Sequence, residues 1–254
     1  MKKLISILLI TVLTIGFTCF VFADEEVKGL NFGFETMDVY YDDENNLVVD
    51  GFFYNAGSVE VGEITNLSIK VADDIGIIGE TIFDNDDNLQ NISLKTGEVD
   101  FYEFTITESE QRDLNIDDII VESEFEYSYN EERAILSDGI KVYYNGKKVD
   151  FSKTKPAVVN GRTLIPVRGV LEAMGCEVEW NGTTKQVTIT REESPNIVLT
   201  IGSKTAIIEG QSVELEVPAQ IINGSTFIPL RFVSEALGSS VIWGQEDKVV
   251  IIAE

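Results

Sequence analysis

The sequence contains no histidine, only two cysteines, and 19 basic residues against 44 acidic ones. Each scarcity removes a class of function. Without imidazole there is no Ser-His-Asp or Cys-His site, no histidine-ligated copper, zinc or haem, and no histidine pH switch. A formal net charge of −25 argues against nucleic acid as a partner, because that affinity comes largely from Lys and Arg neutralising phosphates. There is no P-loop, dinucleotide fingerprint or CxxC pair, and no LPxTG sorting motif. What is present, 20 glycines and 44% hydrophobic residues, is ordinary for a folded chain.

The first residues have three parts. Lys2 and Lys3 give a positive start, Leu4 to Phe22 carries no charge, and Ala23 precedes acidic Asp24-Glu25-Glu26. This reads as a secretory signal over residues 1–23, cleaved after Ala23. An uncleaved anchor competes, since the run is just long enough to span a bilayer. The small Ala23 and the break at Gly16 favour cleavage. Lipid attachment at Cys19 is disfavoured by the bulky Phe17 and Thr18 before it. No later segment is apolar enough to cross a bilayer, so none is expected after signal cleavage. Cleavage leaves a chain of −27 with Cys176 as its one cysteine. An exported protein of that kind has no internal disulfide and must rely on core burial. Cys176 follows Gly175 in apolar surroundings and reads as a buried structural thiol.

Charge divides the remainder. Residues 24–139 hold 31 acidic and 5 basic residues, a net of −26, whereas residues 140–254 hold 13 and 12, a net of −1. Two domains meeting near Ser137-Asp138-Gly139 are expected, each of ordinary domain size. In the acidic domain, Val121, Ser123, Phe125, Tyr127 and Tyr129 alternate with Glu122, Glu124, Glu126 and Ser128, the period of a strand with one buried face. Asn66–Val71 and Asp100–Ile106 alternate likewise, and further strands are read at Val39–Tyr41, Leu47–Asn55, Ile77–Phe83 and Ile92–Leu94. Acidic and glycine turns separate them, and no helical period is sustained. About seven short strands predict an antiparallel Ig-like β-sandwich. The string Val48-Val49-Asp50-Gly51-Phe52-Phe53-Tyr54-Asn55, with Glu63-Ile64-Thr65-Asn66-Leu67 and Lys95-Thr96-Gly97-Glu98, resembles Ig-like modules of Gram-positive surface proteins. Among these it is most similar to the SLAP domain of surface-layer assembly proteins and the FxLYD type.

The neutral domain contains a duplication. Asn160-Gly161-Arg162-Thr163-Leu164-Ile165-Pro166-Val167-Arg168 recurs 63 residues later as Asn223-Gly224-Ser225-Thr226-Phe227-Ile228-Pro229-Leu230-Arg231. Glu172-Ala173-Met174-Gly175 is echoed by Glu235-Ala236-Leu237-Gly238, Trp180 by Trp243, and Lys185–Ile189 by Lys248–Ile252. The Lys141–Val149 strand returns near Thr205–Val213. Asn-Gly pairs supply the positive φ of tight turns. Proline suits a helix start and glycine its end, so short helices are predicted from Val167 to Met174 and Leu230 to Leu237. The expected fold is therefore mostly β with short helices: a sandwich, then an α+β domain of two tandem strand-hairpin-helix-hairpin repeats, at about 140–190 and 204–252.

This repeated pattern resembles the copper amine oxidase-like N-terminal domain, also called a stalk domain, over residues 140–254. The resemblance implies antiparallel strands wrapped around a helix in a secreted or wall-associated bacterial protein. It implies no oxidase chemistry, which belongs to a separate histidine-containing catalytic domain. Ser225 stands where the first repeat has Arg162, so a role for that arginine is not shared.

Candidate site residues are few. Arg168 and Arg231, four positions before Glu172 and Glu235, are in the weaker order for a helix ion pair and read as buried arginines bonding strand carbonyls. Trp180 and Trp243 could stack on sugars, but equivalent places in a repeat favour core aromatics. Asp84-Asn85-Asp86-Asp87-Asn88 offers calcium-type oxygens, yet Leu89 and Lys95 occupy the positions where an EF-hand needs glycine and glutamate. Solvated acidic turns, including Asp42-Asp43-Glu44, are the expectation. No catalytic, cofactor-binding or metal-ligating set is assigned and no cofactor is expected. The sequence points to a non-enzymatic secreted or cell-wall-associated protein of a Gram-positive-type bacterium, acting as a surface binding, presentation or structural module. Its expected partner is wall polymer or another surface protein. A calcium-responsive structural module and a secreted hydrolase or protease inhibitor are the alternatives.

Overall fold

The computed structural model describes residues 2–12, 17–21, 30–84, 86–115, 118–133, 139–151, 154–159 and 161–254. The cleavage position at Ala23, the charge boundary at Ser137-Asp138, and Asn85 and Asn160 lie outside the described residues. The fold is mostly β, with 55% of residues in strands and 9% helical. The chain divides into two compact units, Met1–Leu136 with Gly244–Asp247, and Ser137–Trp243 with Lys248–Glu254.

The first unit comprises β1 (Lys2–Val12), β2 (Phe17–Val21), β3 (Phe32–Tyr41), β4 (Leu47–Asn55), β5 (Val59–Ala72), β6 (Ile77–Phe83), α1 (Asp87–Gln90), β7 (Ser93–Leu94), β8 (Val99–Ile106) and β9 (Ile120–Arg133). They form one sheet in the order β2-β1-β9-β5-β6, with β7 on β5, and a second in the order β3-β4-β8. The apolar run read as an export signal supplies β1 and β2, and β1 pairs antiparallel with β9 from Lys2↔Asn130 to Val12↔Ile120. Phe34, Val49, Phe53 and Phe104 of the three-stranded sheet share a core with Ile69, Val121, Phe125 and Tyr127 of the other. That face-to-face packing is the expected sandwich.

Along β9 the buried side chains Val121, Ser123, Phe125, Tyr127 and Tyr129 follow the period of two. Strand β5 does not. Its buried residues Val59, Val61, Ile64, Leu67, Ile69 and Val71 skip an extra position twice. The skips coincide with register shifts against β9 and with positive φ at Glu63 (50°) and Asn66 (53°). Each bulge takes up one residue and returns the apolar side chains to the core face. In β4, Gly51 is forced by proximity: a Cβ there would lie 2.4 Å from the Glu35 carbonyl oxygen and 2.4 Å from a Phe34 ring carbon. The acidic run expected to be all turn contains the single helical turn α1, because Asp86 caps it by accepting from Asn88 N–H (2.8 Å) and Leu89 N–H (3.2 Å).

The second unit comprises β10 (Lys141–Tyr144), β11 (Lys147–Lys148), β12 (Ala157–Val159), β13 (Arg162–Pro166), α2 (Val167–Ala173), β14 (Glu177–Asn181), β15 (Gln186–Thr190), β16 (Ile197–Thr200), β17 (Thr205–Ile208), β18 (Gln211–Glu214), β19 (Gln220–Ile222), β20 (Ser225–Pro229), α3 (Leu230–Ala236), β21 (Ser240–Gly244) and β22 (Val249–Ala253). The repeats do not close on themselves. The opening hairpin β10-β11 of the first pairs with the closing hairpin β21-β22 of the second, through a parallel β10–β22 contact. The closing hairpin β14-β15 of the first joins the opening hairpin β17-β18 of the second, through β16. Strand β16 lies between the two repeats, and the positions 63 residues before it, 134–137, are outside the described residues. Strands β13 and β20 pair antiparallel with Ile165 opposite its own equivalent Ile228, which sets a local two-fold between the copies.

Both helices end alike. Gly175 (φ 75°) and Gly238 (φ 87°) are left-handed, and Cys176 N–H reaches the Leu171 carbonyl at 2.8 Å as Ser239 N–H reaches that of Ser234 at 3.0 Å. This is the Schellman arrangement, which satisfies carbonyls the helix leaves open. At the Asn181-Gly182 turn the positive φ falls at Lys185 (54°), echoed by Lys248 (54°). There Asn181 Oδ1 accepts from the N–H groups of Thr183 and Thr184. Ile165, Val170, Leu171 and Met174 share one core with Ile228, Leu230, Val233 and Leu237. Cys176 is buried, as expected, and burial pushes its thiol pKa up.

The two repeats are also tied by Glu254. Its carboxylate accepts from Arg191 at 2.6 and 2.8 Å, from Ser239 at 3.0 Å and from the Tyr144 hydroxyl. Burial alone would raise the Glu254 pKa, but the Arg191, Tyr144 and Ser239 hydrogen bonds outweigh it and hold the carboxyl below its ordinary value. A depressed carboxyl contributes stability that is present above its unfolded pKa and is lost as pH falls through the folded one. Glu254→Gln is expected to cost about 2 kcal/mol at pH 7, after allowance for partial solvent screening. Denaturant melts should show the gap between wild type and variant closing below the ordinary carboxylate range. A gap independent of pH would refute this.

Candidate functional site

The acidic turns of the first unit spend their carboxylates locally. Asp42 accepts from the backbone N–H of Glu44 and Asn46 and from the Asn46 side chain. Asp73 accepts from the N–H groups of Ile75 and Gly76 and pairs with Arg112 at 2.9 Å. Among the described residues no group of three or more His, Cys, Asp or Glu side chains is placed to hold a metal ion.

The second unit offers a better-formed feature. A cleft of about 500 Å³ opens beside α2, within the size range of small-molecule sites. Helix α2 buries Val170 and Leu171, with Met174 buried at its C-cap, and the 3.6-residue period then turns Arg168 and Glu172 to the opposite side. Both line the cleft. The buried role expected of Arg168 and Arg231 is therefore wrong: both arginines are exposed. They also differ from each other. Arg231 lies 3.9 Å from Glu235, whereas Arg168 and Glu172 make no such pair.

Trp180 corrects a second expectation. It sits on the edge strand β14, is 44% exposed, and shares the cleft with Val178, two residues earlier on the same strand face. Its repeat equivalent Trp243 is half-buried and packs on the core as expected. The sequence carried a sign of this asymmetry. Where α3 has Phe232, α2 has Gly169, and a Cβ at Gly169 would lie 2.8 Å from the Phe151 ring. The first repeat thus takes its covering ring from a separate loop, and Asp150 beside that ring comes into the cleft with it.

Three further groups belong to the lining. Thr154 and Ser225 hydroxyls bond each other at 3.1 Å, and the exposed Ile221 supplies apolar surface. Ser225, which replaces Arg162 in the second repeat, thus has a role of its own. Arg162 forms an exposed pair with Glu216. The Asp150, Arg168 and Glu172 side chains and the Trp180 indole N–H have no hydrogen-bond or ion-pair partner among the described residues. Two acceptor-only carboxylates, a guanidinium fork and an indole donor therefore converge on one opening with their capacity unspent. The arrangement presents hydrogen-bond acceptors, donors and an aromatic face on one opening, which is what binding a polar ligand requires.

Comparison with known proteins bears on this unit. Residues 143–252 match the copper amine oxidase N-terminal domain. The match agrees with the resemblance read from the two repeats. A copper amine oxidase N-terminal domain is non-catalytic by itself. No curated protein matches the chain. Among solved structures it is similar to envelope protein VP37 of White Spot Syndrome Virus, at 12% identity and a TM-score of 0.33, covering 51% of this chain and 98% of that one. No helix among the described residues is long and apolar enough to cross a membrane.

Proposed function

We propose that this is a non-catalytic binding module of an exported, cell-wall-associated protein, and that it engages the wall polymer through the Trp180 cleft. One observation carries the reading: an exposed tryptophan shares a cleft with Asp150, Arg168 and Glu172, none of which has a side-chain partner among the described residues, in a domain whose second copy packs its tryptophan on the core and sets its arginine beside its glutamate. Folding a repeat twice explains stability, but it does not explain leaving an indole and three charges open in one copy. The export signal read at residues 1–23 supports an extracellular site of action. The strongly acidic sandwich supports a displayed part, because its charge keeps it solvated and away from like-charged surfaces.

The test is co-sedimentation of the exported protein with isolated Gram-positive cell walls. The protein is expected to pellet in a saturable way, and Trp180→Ala is expected to lower the bound fraction about tenfold at limiting wall concentration. The thermal melt of the variant should stay unchanged, since Trp180 is outside the core. Equal pelleting of wild type and variant would remove the cleft from the function.

A further inference from the structure

Taking the wall-binding reading as its premise, the geometry points to the class of ligand: we infer that the Trp180 cleft receives a pyranose ring of a neutral glycan, its C–H face on the indole and its hydroxyls on Asp150, Glu172 and Arg168.

The choice follows from what the cleft lining rewards and penalises. An indole that is 44% exposed, with no partner for its N–H among the described residues, offers a flat apolar face and a polar edge together. A sugar ring has the same mixture, apolar C–H bonds on one face and hydroxyls around the rim. Each hydroxyl both donates and accepts, so it can give a hydrogen to a carboxylate of Asp150 or Glu172 and accept one from Arg168 or the indole. Few other ligand classes use all four groups. A lipid chain would desolvate two carboxylates with nothing to offer them. A phosphate polymer would meet two carboxylates against one guanidinium. At about 500 Å³ the cleft has room for an oligosaccharide, as expected for an internal stretch of polymer.

The two tryptophans make the test direct. In a Trp243→Phe variant, Trp180 is the only indole and its fluorescence reports the cleft alone. Chitotetraose and cellotetraose are the probes, with a wall stem peptide and a glycan-free polyglycerol phosphate as competing classes. A saturable shift in emission is expected with at least one of the two oligosaccharides, and none with the peptide or the phosphate polymer. Calorimetry on the unsubstituted protein gives a second readout that does not depend on the Trp243 variant folding. Asp150→Asn and Glu172→Gln are each expected to weaken oligosaccharide binding about tenfold with the melt unchanged, because each removes one charge-assisted hydrogen bond. Failure of both oligosaccharides to saturate at millimolar concentration, or saturation by the peptide or phosphate polymer instead, overturns the inference. Trp180-dependent pelleting with walls under the same conditions would leave the wall-binding reading standing. Loss of that dependence would take both down.

Discussion

Phe53→Ala is expected to remove about 3–5 kcal/mol from the stability of the first unit, the range for deleting a fully buried aromatic ring. Phe53 is completely buried, and its ring lies 5.0 Å from that of Phe34, 5.2 Å from Phe125 and 5.6 Å from Tyr102. The contact with Phe125 is edge-on, at 90°, a geometry that adds to area burial. That ring bridges the two sheets, since Phe53 belongs to β4 and Phe125 to β9. Alanine would leave a cavity between them that neither sheet can close without shifting its hydrogen-bonded register. Calorimetry should show the melting transition of the acidic unit falling by more than 10 °C, an order-of-magnitude expectation for a unit of this size. The transition of the other unit should hold. A loss below about 1 kcal/mol would mean that the sandwich core repacks freely, contrary to a close-packed interior.

Asn55→Ala is expected to cost about 3 kcal/mol by a different mechanism. Asn55 is completely buried at the end of β4. Its amide donates to the carbonyls of Val59 (2.7 Å) and Leu94 (2.8 Å), and its side-chain oxygen accepts from Gly57 N–H at 2.9 Å. One side chain thereby links the end of the three-stranded sheet to β5 and β7 of the other. Alanine leaves two carbonyls and one N–H without that partner, each worth about 1–3 kcal/mol when buried. Aspartate separates this mechanism from simple loss of volume. It keeps the shape but replaces a double donor with a carboxylate facing two carbonyl oxygens, so Asn55→Asp should be at least as damaging as alanine at pH 7. If aspartate were tolerated, the side chain would be filling space and the hydrogen bonds would be incidental.

Phe53 and Asn55 come from the string that drew notice in the sequence, Val48 to Asn55, and there the reading and the structure agree for a physical reason. A strand buried on both sides shows as consecutive apolar residues, and an asparagine closing such a run must find partners inside. The β9 alternation was equally plain, because a pleat fixes which side each residue faces. Strand β5 was only half legible. Its bulges at Glu63 and Asn66 break the period, and a bulge is a matter of how two strands fit, which neither strand encodes alone. Strand β16, four residues long and lying between the two repeats, is too short to show a period in the sequence.

The duplicated half divides in the same way. Sequence alone determined that there are two copies, where each helix begins and ends, and that the domain resembles the copper amine oxidase N-terminal domain, because proline, glycine and an apolar stripe act over a few residues. The exposure of Arg168 was also within its reach, since burying Val170, Leu171 and Met174 leaves no other direction for that side chain. Only the tertiary structure decided that the copies exchange hairpins across the β13–β20 pairing. It alone decided that Trp180 stands open while Trp243 is packed. Two identical residues at equivalent positions carry the same local information. What separates them is the packing around each copy: in the first, the Phe151 ring from a separate loop lies against Gly169, where α3 carries Phe232 of its own, and contacts between segments far apart in the chain exist only once it has folded.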